Sequence, residues 1–149
     1  MVIGRLQNLL NVFKGNEISP EEQEQLFEEV FVTVTGRAVS ADTNIHPNEI
    51  AMVQQIYKEV FEKEIEAGAV RSAANSELFE TTPLESFVKA AGKKLTGVEK
   101  FMICDSIKHV VNADGKVGKW EIDYFNQIAT ALKMTPAEVA GLVDKSGPL

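Results

Sequence analysis

The chain has 149 residues, a length that one compact domain accommodates without a second core. A hydrophobic fraction of 44% with 25% charged residues falls in the ordinary globular range and excludes wholesale disorder, and no apolar run approaches the roughly 20 residues needed to cross a bilayer. The net charge of −7 opposes attraction to nucleic-acid phosphates and anionic lipid, so a cation or a basic protein surface is the better-matched partner.

In chain order, Val2, Ile3, Leu6, Leu9, Leu10 and Phe13 form an apolar stripe that predicts a helix over residues 2–14. Its polar face lacks the dense lysine and arginine lining of membrane-surface helices, so packing into the core is expected. Met1 to Arg5 has no basic region, long apolar core or small-residue cleavage site, and the single Cys104 cannot form an internal disulfide; a cytoplasmic location is the expectation. Cys104 lies at helical spacing from Phe101, Ile107 and Val111, which predicts a buried, inert thiol.

Four prolines mark helix starts. Pro20, Pro47, Pro83 and Pro136 each precede an acidic residue at the third helical position, and proline suits the first position because its missing N–H has no helical partner there. Ser19, Thr82 and Thr135 supply capping hydroxyls, and Thr96-Gly97-Val98-Glu99 repeats the capping pattern without proline. The predicted helices are 20–40, 47–67, 83–92, 97–112, 119–132 and 136–144, with no strand.

Val30 to Thr35 is the main challenge, because its β-branched residues favour strand. Phe27, Val30, Phe31 and Val34 nevertheless recur at helical spacing, and a lone strand has no ladder for its backbone groups. Ile50, Val53, Ile56, Tyr57, Val60 and Phe61 form a second stripe, and Ile122, Phe125, Ile128, Ala129 and Leu132 a third; ordinary core packing is expected of both. Residues 68–82 read as a connector with a short helical turn. The expectation is therefore all-α: one domain over 1–149, a compact bundle of about seven helices built from two helix-turn-helix halves near 20–67 and 97–144.

One short pattern occurs twice, as Ala41-Asp42-Thr43-Asn44-Ile45-His46-Pro47-Asn48-Glu49-Ile50 and as Ala113-Asp114-Gly115-Lys116-Val117-Gly118-Lys119-Trp120-Glu121-Ile122. In each, an aspartate at a turn precedes by seven positions a glutamate in the first turn of the next helix. The second copy matches several positions of a calcium-binding EF-hand loop. However, the first ligand position is the apolar Val110 (Ala38 in the first copy), and Thr43 replaces the required glycine, so a true EF-hand pair is rejected.

Asp42, Glu49, Asp114 and Glu121 remain as a candidate four-carboxylate site for a hard divalent cation: calcium, magnesium or manganese. Asn112 and His46 are weaker candidate ligands; His46 has no counterpart, since Gly118 holds the equivalent place. His109, within a helix, is expected to pack or meet solvent. The competing account is helix-start chemistry, with the glutamates favoured by the helix dipole and the aspartates suited to turns. Trp120, beside Glu121, is more often buried in such a place, whereas exposure marks a contact surface.

At these residues the chain resembles the tellurite-resistance TerB family and the wider TerB-like superfamily. The second half carries most of the resemblance: Val110 to Val117, then Trp120-Glu121-Ile122, then Ile128 to Glu138. The first half departs at Thr43 and His46-Pro47, which puts equal metal affinity of the two halves in doubt. The resemblance implies an all-helical fold and a metal-responsive role in tellurite or other stress resistance, working with protein partners in a membrane-associated assembly. The chain has no glycine-rich phosphate loop, no Cys-His or Ser-His constellation and no zinc motif, so a non-catalytic module is expected. The alternative is an interaction or scaffold module whose acidic pairs only cap helices.

Overall fold

The computed structural model describes residues 6–39, 47–113, 118–135 and 137–138. Within them the chain is all-helical: α1 (Gln7–Phe13), α2 (Pro20–Val39), α3 (Pro47–Phe61), α4 (Ala67–Ala74), α5 (Leu78–Thr81), α6 (Leu84–Gly92), α7 (Gly97–Val111) and α8 (Lys119–Ala131). Val2, Ile3, residues 40–46 and 114–117, and the predicted C-terminal helix beyond Glu138 lie outside the described residues.

Helix α2 is the axis of the bundle, packing against α1, α3, α4, α6, α7 and α8. Every residue from Leu26 to Gly36 is buried, which explains why the β-branched run is helical: a helix enclosed on all sides derives its stability from packing rather than from propensity. The other stripes also face the core, with Ile50, Val53 and Tyr57 buried on α3 and Phe125, Ile128 and Ala129 on α8, next to the buried Leu132. Leu6, Leu9 and Val12 bury the first stripe. Tyr124 Oη donates to the Val34 carbonyl at 2.6 Å, tying α8 to α2.

The capping chemistry follows the sequence at three starts. Ser19 with Glu22, Thr96 with Glu99 and Thr135 with Glu138 each form the reciprocal pair, side chain to amide in both directions. At Thr82 the expectation fails: Pro83 itself is the cap residue, with extended ψ of 145°, and α6 begins one residue later than predicted with no side-chain cap.

Helix α3 stops at Phe61 rather than 67. Glu62 turns into the left-handed region at φ 57°, and the chain folds back so that Ile65 is buried and its carbonyl accepts from Gln54 Nε2 at 3.0 Å. The connector also holds more helix than predicted, because Val70, Ala73 and Ala74 bury a face of α4 against α2. Alanine-rich stretches give a weak periodic signal, and Gly36 on α2 lets these small side chains approach closely.

Candidate functional site

Glu49 and Glu121 occupy the third position of α3 and α8, the helices that follow the two acidic turns. Each turn joins two mutually packed helices, α2 with α3 and α7 with α8, and both α3 and α8 pack on α7. Other third-position glutamates act as caps that stay in contact with solvent: Glu22, Glu99 and Glu138 each accept from the amide of the capping residue at 2.8 Å, and none is buried. Two hydrogen bonds with Thr135, its amide donating to the carboxylate, hold the Glu138 carboxyl below its usual range.

Glu49 and Glu121 behave differently, being only 2% and 5% exposed. A Cβ on Gly118 would lie 3.6 Å from Glu121 Oε1, so this carboxylate folds back over the start of its own helix. Taking a carboxylate out of water costs several kcal/mol, in order of magnitude, unless opposite charge and hydrogen bonds compensate. A helix dipole at a surface offers about 0.3–1 kcal/mol, too little to account for the burial.

The last turn of α7 adds a buried lysine. Lys108 is 1% exposed, four residues before the cap residue Asn112. Both the amide and Nδ2 of Asn112 donate to the Lys108 carbonyl, at 3.2 and 2.8 Å, which leaves Oδ1 as the ligand atom Asn112 has to offer. Sequence reasoning assigned Lys108 no role. The available signal was its register, four residues after Cys104 and three before Val111, both buried.

Asp42, His46 and Asp114 lie outside the described residues, so two of the four candidate carboxylates are placed. Among the described residues no three His, Cys, Asp or Glu side chains come together as a metal site. Trp120, between Lys119 and Glu121, is 72% exposed, the less common outcome for an indole. His109 is solvent-facing, with Nε2 3.4 Å from Asp105 Oδ2 one turn away. Burial, reinforced by the Glu138 and Asp105 charges, pushes the Cys104 thiol up to about 12, so it stays protonated and inert at neutral pH.

A second buried polar group was also missed. Glu28 Oε1 accepts from Tyr57 Oη at 2.5 Å and pairs with Lys63 Nζ at 3.0 Å; burial, then this carboxylate, raises the Tyr57 phenol above its ordinary range. It borders an open groove of about 630 Å³ where α2, the end of α3 and the start of α7 meet, floored by Phe27 and Phe61. Another groove, of about 750 Å³, runs between α6 and α8 past Glu85, Lys89 and Asp123. Neither groove includes Glu49 or Glu121.

No helix among the described residues is long and apolar enough to cross a membrane. No curated protein and no solved structure matches the chain. The family model described as tellurite resistance protein TerB matches residues 28–143, from the middle of α2 through both acidic turns and beyond α8. With that match covering well over half of an all-helical chain, the protein belongs to the TerB family.

Proposed function

We propose that the protein is a non-catalytic ion-binding or metal-sensing module of the TerB family, acting in tellurite or other stress resistance, in which the two acidic turns serve one divalent cation. Asp42, Glu49, Asp114 and Glu121 supply the carboxylates, with Asn112 and His46 as accessory donors. The single observation that supports this reading most is the burial of Glu49 and Glu121 at the same position of two helices that flank α7. Carboxylates that share one site repel one another until positive charge offsets them, and a hard cation held by oxygen ligands does so. Calcium, magnesium and manganese fit that donor set, and the module would report ion occupancy to protein partners in a membrane-associated stress assembly.

Calorimetric titration of the full chain with each of the three ions tests the reading. Saturable binding that is lost in both Asp42→Asn and Asp114→Asn supports it; heat changes that never exceed those of buffer, in all three titrations, sink it.

A second reading is favoured by Lys108 and Trp120. A buried lysine can itself be the ion-pairing partner of buried carboxylates, and an exposed indole is a common centre of a protein contact. In that case the acidic turns are closed by internal ion pairing and the module is a scaffold that meets a partner around Trp120. It predicts no ion binding and no stability loss in chelator, with Trp120→Ala weakening partner capture and leaving the fold intact.

A further inference from the structure

The N-terminus of α1 is capped by a side chain from another helix. Its own cap residue, Leu6, offers no hydrogen-bonding side chain and sits in the left-handed region at φ 49°, an unfavourable conformation for a bulky residue. The missing cap comes from Glu29 of α2, which is fully buried: Oε1 accepts from the amides of Asn8 and Leu9, each at 3.0 Å, and Oε2 accepts from Asn8 Nδ2 at 2.6 Å. These amides are the second and third of the helix, the ones a local cap would normally satisfy.

The rest of α1 holds on by apolar contact. Leu6, Leu9 and Val12 are buried, and Phe13, 40% exposed, lies with its ring centroid 4.4 Å from that of Phe87 on α6. A seven-residue helix is far below the about 12–15 residues needed for marginal stability alone, so once unclipped it unwinds. The TerB match begins at Glu28, after α1 and the first turns of α2, so α1 lies outside the matched residues.

We infer that α1 is a releasable strap, clipped to the bundle by Glu29, whose opening frees residues 6–13 and uncovers Phe87 and the apolar face of α6 while α2 to α8 stay folded. Hydrogen exchange on the full-length chain, wild type against Glu29→Ala and Glu29→Gln, tests it, with an apolar dye as a parallel readout.

In Glu29→Ala, exchange of the α1 amides rises about tenfold, the size expected for losing a helix cap, while residues 30–39 and α7 keep wild-type protection and dye fluorescence increases. Glu29→Gln, whose remaining oxygen can still accept from the Asn8 and Leu9 amides, exchanges more slowly than Glu29→Ala. Should Glu29→Ala fail to fold, wild-type exchange in low denaturant decides: α1 opens in a separate event less sensitive to denaturant than the opening of α2. The strap is overturned if the α1 amides exchange only together with α2, or if Glu29→Ala leaves their exchange unchanged.

Discussion

At Gly36 the backbones of α2 and α4 come so close that a Cβ would lie 3.0 Å from both Val70 Cγ1 and the Val70 carbonyl oxygen, and 3.3 Å from Ala74 Cβ. Alanine would gain about 1 kcal/mol in helix propensity, but a carbonyl inside a helix cannot give way as a flexible side chain can. Gly36→Ala is therefore expected to destabilise by about 1–3 kcal/mol, the usual cost of overpacking, read from urea denaturation midpoints. Thr33 offers the opposite case: its buried Oγ1 has no hydrogen-bond partner among the described residues, so Thr33→Val is expected to stabilise by about 1 kcal/mol in the same assay.

Glu29 gives a pH signature. Burial, only partly opposed by the hydrogen bonds from Leu9 and Asn8, raises its pKa above the ordinary 4.5. The folded state thus holds this proton more tightly than the unfolded chain does. Its stabilising contribution is fully present below 4.5 and is lost as pH rises through the raised folded value. The stability of Glu29→Gln relative to wild type should accordingly climb across that window and level off above it; a difference independent of pH would contradict the assignment.

Among the elements, α1 and α8 end in the same Schellman geometry. At α1 the left-handed residue is Gly15, with φ 85° and amide bonds from Gly15 to Val12 and from Asn16 to Asn11, both 3.0 Å. At α8 it is Lys133, φ 59°, with Lys133 bonded to Thr130 at 3.0 Å and Met134 to Ala129 at 2.9 Å. A lysine in this conformation carries a steric penalty that glycine escapes, so Lys133→Gly is expected to raise stability by about 0.5–1 kcal/mol. Thr96→Ala, which removes half of the reciprocal cap at the start of α7, is expected to cost about 1 kcal/mol.

These elements were legible wherever local chemistry sets them: Ser19, Thr96 and Thr135 announced their helices, and apolar period outweighed β-branching in α2. Helix α4 was not legible, because its packing depends on a glycine more than thirty residues away rather than on its own pattern. Glu29 escaped notice for a related reason. Its role is to cap a helix distant in sequence, and nothing near it in the chain records that.

For the molecule as a whole, the sequence marked Glu49 and Glu121 by their recurrence but not by their surroundings. A surface cap and a buried carboxylate occupy the same third helical position, and only their burial separates Glu121 from Glu99. Lys108 was hidden in the same way, since a lysine flanking an apolar stripe usually extends to water. The burial of Glu49 and Glu121 on two helices that pack on α7 is the observation on which the proposed shared ion site rests.

Amide NMR of the full chain during titration with calcium, magnesium and manganese in turn, with manganese read by paramagnetic broadening, tests that arrangement most directly. A common binding curve reaching its end point at one equivalent, with residues 42–49 and 114–121 responding together, is the predicted result for the ion that binds. Independent curves for the two turns, or unchanged spectra with all three ions, would contradict the shared site.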